Sequence, residues 1–268
     1  MEKMTLSLAQ SLYAFGFAVI RQFFNADVVA SEIDRVTGNG LVCPVARSGG
    51  INFQYVPMMT ADTPASLSLL DACAVLAETV LMGPVIPTRA KGTLYRGNTP
   101  WHVDSESPIR SIGCIAYLES IDARSGALRV LPGSHRPEYG DAIRTLGATG
   151  MPATALPAHV IESEPGDLIL MDEHLFHASF SGGVRRQWRV DFLQVPTDAD
   201  AERDTKAYFE HLYSPDWEGG YDVDRYPSYG RDWRQSGRGS VGHLAALGVY
   251  DLAAAQEAFS RDRSYRKS

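Results

Sequence analysis

Trp101-His102-Val103-Asp104 places an imidazole and a carboxylate two residues apart. On a strand, residues i and i+2 point to the same face, so both side chains can reach one point in space. A second imidazole, His177, lies far downstream in Leu175-Phe176-His177-Ala178-Ser179-Phe180, which also reads as a strand. Two neutral imidazoles and one carboxylate make a facial triad. That set holds non-haem Fe(II) and leaves positions for an oxidant and a cosubstrate. A bare H-x-D occurs by chance in many chains, so the surrounding elements must carry the argument.

Those elements fall into three parts. The pattern predicts a short amphipathic helix over residues 5–14, a strand over Phe17–Ile20, and a helix capped by Asn25 that stops near Gly38. A long polar loop with extended pieces around 51–56 follows. Next comes an apolar helix over 65–82, with Leu67, Leu70, Ala74, Leu76, Val80 and Leu81 inward and Cys73 in the core. From about residue 85 the texture changes to short β-runs: 91–96, 101–104, 111–118, 128–131, 159–162, 168–171, 174–180 and 186–195. Turns such as Gly97-Asn98, Pro132-Gly133, Pro165-Gly166-Asp167 and Gly182-Gly183 separate them. Short, evenly spaced strands of this kind predict a sandwich or barrel, and a jelly roll suits a metal in its mouth. Beyond 196 the chain turns polar, aromatic and partly helical, over 204–212 and 244–259.

With 268 residues, 44% of them hydrophobic and 21% charged, the chain has material for one medium domain and an ordinary core. The expected layout is a single domain over 1–268, with N-terminal helices over 5–82, a jelly-roll core over 85–196 and a C-terminal extension over 197–268. A net charge of −7 argues against nucleic acid or anionic membrane as a partner. Cys43, Cys73 and Cys114 are scattered and form no CxxC pair, so a reducing cytoplasmic setting is expected. The first residues lack a signal-peptide run, and no 18-residue apolar run marks a membrane span. A small-molecule substrate is therefore the expected partner, and a homo-oligomer stays open.

Four stretches, taken in this order, carry more specificity than any one alone. They are Phe15-Gly16-Phe17-Ala18-Val19 with the Asn25 helix, Thr99-Pro100-Trp101-His102-Val103-Asp104, Ser125 to His135 (SGALRVLPGSH), and Gly166 to Met171 running into His177-Ala178-Ser179. Together they resemble the phytanoyl-CoA dioxygenase family of Fe(II)/2-oxoglutarate oxygenases over roughly residues 5–195. The resemblance implies a fold that is mainly β with flanking α-helices, a double-stranded β-helix (jelly roll, cupin-like) with N-terminal helices on one sheet. It implies Fe(II) held by His102, Asp104 and His177, with 2-oxoglutarate chelating the iron and O2 activated to oxidise a substrate C–H bond, with succinate and CO2 released. Related halogenases lack the carboxylate; Asp104 therefore favours hydroxylation, desaturation or ring formation. Many bacterial members with this look serve specialised metabolism, which is the expected setting.

The cosubstrate's distal carboxylate needs a cation, and arginine suits it through bidentate hydrogen bonds. The family's arginine lies about eleven residues past the second histidine, where this chain has Trp188, flanked by Arg185, Arg186 and Arg189. A tight turn at Gly182-Gly183 would set Ser179 opposite Arg186, on one face with Trp188, Val190 and Phe192. Arg186 is the first choice and Arg189 the alternative. The family pairs its arginine with the serine two after the histidine, here Ser179. Thr93, Tyr95 and Thr99 are placed to contact 2-oxoglutarate or to line the pocket. His174 and His135 read as structural, and Trp101 as packing beside the metal strand. Lys91 and Arg96 read as surface, or as contacts for an anionic substrate group. The aromatic cluster from Trp217 to Trp233 is either a cover folded over the mouth or an ordinary packed tail. Two rival readings stand: a cupin-like metalloenzyme that does not use 2-oxoglutarate, and a non-catalytic jelly-roll binding protein.

Overall fold

A computed structural model describes residues 2–37, 52–148, 155–212, 222 and 224–250. In chain order the strands are β1 (Phe17–Ile20), β2 (Asn52–Pro57), β3 (Val85–Pro87), β4 (Lys91–Arg96), β5 (Thr99–His102) and β6 (Ser111–Tyr117). They continue with β7 (Leu128–Val130), β8 (His159–Ile161), β9 (Leu168–Asp172), β10 (His177–Ser179) and β11 (Val184–Gln194). The helices are α1 (Glu2–Phe15), α2 (Ala26–Thr37), α3 (Pro64–Leu81), α4 (Pro137–Ala148), α5 (Ala199–Leu212), α6 (Arg231–Arg234) and α7 (Gly239–Leu247).

The strands form two antiparallel sheets. One runs β1-β9-β6-β11-β4-β2, with β3 also paired to β11; the other runs β5-β10-β7-β8. The chain crosses repeatedly between them, which is the double-stranded β-helix. β10 lies in the smaller sheet and β11 in the larger, so the Gly182-Gly183 turn joins two sheets. The expected hairpin that pairs Ser179 with Arg186 does not form.

This crossing decides which row of β11 faces the site. Trp188, Val190 and Phe192 are fully buried on the outer face of the large sheet, in one cluster with Leu70, Cys73 and Ala77 of α3. The Trp188 indole donates to Ser66 Oγ at 2.7 Å. The alternate row, Arg185, Gln187, Arg189 and Asp191, points between the sheets. Apolar burial on this strand therefore lies against helices, and the polar row lines the interior.

Local sequence accounts for most elements. Asn25 Oδ1 accepts from the Asp27 and Val28 N–H groups at 3.1 and 3.4 Å, capping α2. Helix α3 is long and apolar enough to cross a membrane, but it buries Leu69, Leu70, Cys73, Ala77, Val80 and Leu81 in the core. Leu67, Ala74 and Leu76, expected inward, are only partly buried at its edge. Helix α4 was not expected, because Gly140 and Gly147 interrupt its pattern.

The C-terminal extension divides. Tyr208 and Leu212 of α5 reach the interior cavity. Tyr226, Tyr229, Trp233, Leu244 and Leu247 instead join the main core, and the Tyr229 hydroxyl donates to Pro87 O at 2.8 Å. These aromatics are packed tail; Trp217 and Tyr221 lie outside the described residues. Trp233→Ala should cost about 3–5 kcal/mol, as for other large core truncations. Chemical denaturation checks this, and a loss below about 1 kcal/mol would place the indole outside the core.

Candidate active site

The two histidines meet because β5 and β10 are neighbours with His102 and His177 in register. Their ring centroids are 4.1 Å apart. His102 Nδ1 lies 2.8 Å from Pro100 O, and His177 Nδ1 lies 2.9 Å from Leu175 O. A carbonyl can only accept, so each Nδ1 carries the proton and each Nε2 keeps a free lone pair.

Asp104 arrives differently from the expectation. β5 ends at His102, so Asp104 sits in the turn beyond it rather than on the strand face. The turn is pinned by the Asp104 and Ser105 N–H groups, which donate to Glu173 O at 2.9 and 3.2 Å. Asp104 Oδ1 then lies 3.5 Å from His102 Nε2, and Oδ2 lies 3.5 Å from His177 Nε2. One donor atom from each residue falls within 4.8 Å of the others. Two donors at right angles, each about 2.1 Å from one ion, sit roughly 3 Å apart. The triad therefore fits a divalent ion with little adjustment.

A buried arginine holds the carboxylate. Arg189 Nη2 donates to Asp104 Oδ2 at 2.7 Å, and its Nε donates to Asp191 Oδ1 at 2.7 Å. Burial alone would raise the Asp104 carboxyl, but Arg189, His177 and His102 hold it well below the usual carboxylate range. Arg189 also lies 3.7 Å from Glu173 Oε1, and the Tyr208 hydroxyl is 3.1 Å from both Glu173 oxygens. Burial, with the nearby Asp191 charge, pushes Glu173 up to about 8 against the opposing pull of Arg189.

Arg185, and not Arg186, enters the cavity. Arg185 is 2% exposed and its Nη2 donates to Ser179 Oγ at 2.9 Å, while Ser179 Oγ donates to Gly126 O at 2.8 Å. Arg186 lies on the opposite face, donating to Glu119 through Nε at 2.6 Å and to Asp34 through Nη1 at 2.7 Å. The correction follows from the sheet crossing: the missing hairpin shifts the parity of β11 by one residue. Arg189, the alternative, lines the cavity but is committed to Asp104 and Asp191.

Around Arg185 the wall is polar and only partly satisfied. Arg185 Nε, Gln187 Oε1 and Thr93 Oγ1 are buried with no hydrogen-bond partner among the described residues. Thr99, Tyr95 and Tyr117 complete this end. Burial pushes the Tyr95 phenol up to about 12 and raises that of Tyr117, so both remain neutral donors. Unpaired buried groups are costly unless a ligand completes them. Glycines make room for the arginine: a Cβ on Gly182 would lie 2.1 Å from Arg185 Nη1 and 2.6 Å from Gly97 O. Gly182→Ala should therefore displace Arg185 and weaken binding of a dicarboxylate by about tenfold or more, measured by calorimetry. Unchanged affinity would show that the guanidinium is not held there.

The remaining expectations sort plainly. His174 bridges Asp172 Oδ1 at 2.9 Å and Ser107 O at 2.6 Å, away from the triad. His135 lies 3.2 Å from Tyr13 O, and Trp101 packs edge-on against Phe180. Lys91 lines the cavity rather than the surface, while Arg96 does not line it. The sequence reading missed Gln187, Tyr117, Glu173 and Tyr208, whereas Asp191, read from sequence as sharing a face with Arg189, does pair with it. The available signal was the polar row alternating with Trp188, Val190 and Phe192 on a long buried strand. The interior cavity is about 390 Å³, and an outer groove of about 850 Å³ meets it at His102, Asp104 and Tyr208.

Two facing antiparallel sheets with a His-Asp-His set at one end define a jelly-roll, cupin-like protein with a candidate metal centre. A family model described as phytanoyl-CoA dioxygenase (PhyH) matches residues 71–186. The matched stretch contains His102, Asp104, His177 and Arg185. Among solved structures it is similar to the non-heme alpha ketoglutarate dependent epimerase SnoN from nogalamycin biosynthesis. That match has 19% identity and a TM-score of 0.58, covering 75% of this chain and 90% of the other. AviO1 from Streptomyces viridochromogenes Tue57 matches at 21% identity and TM-score 0.54, covering 73% and 96%. EctD from S. alaskensis, solved with 2-oxoglutarate and 5-hydroxyectoine, matches at 22% and 0.51, covering 70% and 75%. At these identities the likeness is one of fold. No curated protein sequence matches the chain.

Proposed function

We propose that the protein is an Fe(II)- and 2-oxoglutarate-dependent dioxygenase that hydroxylates a C–H bond of a small molecule. The observation that carries the reading is the juxtaposition of two sites in one cavity. Free Nε2 atoms of His102 and His177 converge with Asp104, and the Arg185–Ser179 pair sits deeper along the same wall. The solved relatives named for alpha ketoglutarate dependence support it, as does the PhyH match.

His102, Asp104 and His177 would hold the iron, with Arg189 keeping Asp104 ionised and oriented. Arg185 and Ser179 would bind the distal carboxylate of 2-oxoglutarate, with Thr93, Thr99, Tyr95, Tyr117 and Gln187 around it. When bound, iron with the 2-oxo acid and O2 supplies an oxidant for C–H bonds, the cosubstrate leaving as succinate and CO2. The chain's own part is positioning and exclusion of water. The site is lined by Ile115 and Leu128 of the sheets and by Tyr208 and Leu212 of α5. An intact Asp104, locked by Arg189, favours hydroxylation over halogenation. Kinship of fold with nogalamycin and Streptomyces proteins supports a role in bacterial specialised metabolism. The buried free thiols of Cys73 and Cys114 suit a reducing cytoplasm.

The test is a screen of small molecules with the Fe(II)-loaded protein and 2-oxoglutarate, reading succinate together with product mass. Succinate formed in step with a product that has gained one oxygen atom is expected. Product without succinate would favour a cupin-like enzyme that does not use 2-oxoglutarate. Failure to bind Fe(II), Mn(II) or Ni(II) would leave a binding protein.

A further inference from the structure

We propose that Lys91 is the receptor for a carboxylate on the substrate, so that the enzyme acts on small organic monoacids. The inference rests on the oxygenase reading of the same cavity. Strand register orders the interior wall. Arg185 is level with Tyr95, Gln187 with Thr93 and Tyr117, Arg189 with Lys91 and Ile115, and Asp191 with Gly113. Arg185 and Arg189 are four residues apart on one strand, about 13 Å at ~3.3 Å per residue. Arg189 reaches Asp104, so that rung lies level with the metal. A cosubstrate stretched from the metal to Arg185 extends away from Lys91. The Lys91 ammonium turns the other way, toward Asp191.

Among the described residues that ammonium has no partner at hydrogen-bond distance. Its nearest carboxylate oxygen is Asp191 Oδ2 at 3.9 Å, a Coulombic contact only, although the side chain is 17% exposed. The neighbouring cations are engaged: Arg189 with Asp104 and Asp191, and Arg89 with the Tyr55 hydroxyl at 2.8 Å and Ser228 Oγ at 3.3 Å. A partly buried charge without a protein hydrogen bond is under-compensated, and an incoming anion would offset that cost. Burial, chiefly, lowers the Lys91 pKa to about 8, which is the mark of an under-compensated cation.

The surroundings set the charge of the guest. One ammonium faces the cavity, and Asp191 stands beside it. A monoanion matches; a phosphate dianion would be repelled more strongly by Asp191. The interior cavity is about 390 Å³ and must also hold the cosubstrate, so the acid is small or extends into the outer groove.

The experiment loads the full chain with Mn(II) and saturating 2-oxoglutarate without O2. Calorimetry then follows titration with straight-chain monocarboxylic acids from acetate to octanoate, and with the matching primary amides. At least one acid should bind, with its amide at least about tenfold weaker. Lys91→Met should weaken that acid about tenfold or more and Lys91→Arg much less, with 2-oxoglutarate affinity unchanged in both. The proposal is overturned if no acid binds, if acid and amide bind alike, or if Lys91→Met weakens 2-oxoglutarate instead. Failure of the wild-type protein to take up Mn(II) and 2-oxoglutarate at all overturns the oxygenase reading, and this proposal with it.

Discussion

His177→Ala should abolish Fe(II)-dependent turnover and lower metal affinity by more than about 100-fold, while the chain stays folded. The floor comes from outer partners of metal ligands, whose loss already costs about 10–100-fold in affinity. Removing a ligand itself must cost more. The fold should survive because His177 makes one local hydrogen bond, to Leu175 O at 2.9 Å, and the strand pairs of β10 are backbone bonds. A stability loss of about 1–2 kcal/mol is the expected scale. His174→Ala is the control. His174 lies three residues away but bonds Asp172 and Ser107, so metal affinity should not change. Retained metal in His177→Ala, or lost metal in His174→Ala, would reverse the assignment.

The second large effect separates two adjacent arginines. Arg185→Ala should raise the dissociation constant for 2-oxoglutarate by about 30-fold to several thousand-fold, the equivalent of roughly 2–5 kcal/mol for truncating a buried charged pair. Arg186→Ala should leave that constant unchanged. Its side chain is 26% exposed and pairs with Glu119 and Asp34 on the outer face, so only stability should fall, by about 1 kcal/mol or less. Calorimetric titration of the Mn(II)-loaded variants reads both. Equal loss in the two variants would mean that the wall is disturbed generally, and a loss confined to Arg186→Ala would restore the hairpin register.

The adjacent arginines also show where sequence reasoning reached its limit. Local signals carried far: the Asn25 cap, β1 over Phe17–Ile20 and β4 over Lys91–Arg96 all lie where pattern placed them. The triad was legible because H-x-D and a distant histidine are a small, chemically demanding set. Its geometry was legible only in part, since Asp104 reaches the site from a turn pinned by Glu173 O. The parity of β11 was misread because it depends on whether a Gly-Gly turn folds back or crosses between sheets, and no local residue decides that. An apolar row such as Trp188, Val190 and Phe192 reports burial without saying what buries it. The aromatic extension was ambiguous for the same reason: Tyr229 and Trp233 are dense in ring area because they finish the core.

The proposed function requires that His102, Asp104 and His177 share one iron with 2-oxoglutarate, and that Arg185 hold the far end of that cosubstrate. An anaerobic titration of the wild-type protein with Fe(II) and 2-oxoglutarate tests it most directly, by following the visible charge-transfer absorption of the chelate. A saturable band is expected that requires both components, is absent in His177→Ala, and needs far more 2-oxoglutarate in Arg185→Ala but not in Arg186→Ala. No band in the wild type, or an undiminished band in His177→Ala, would contradict it.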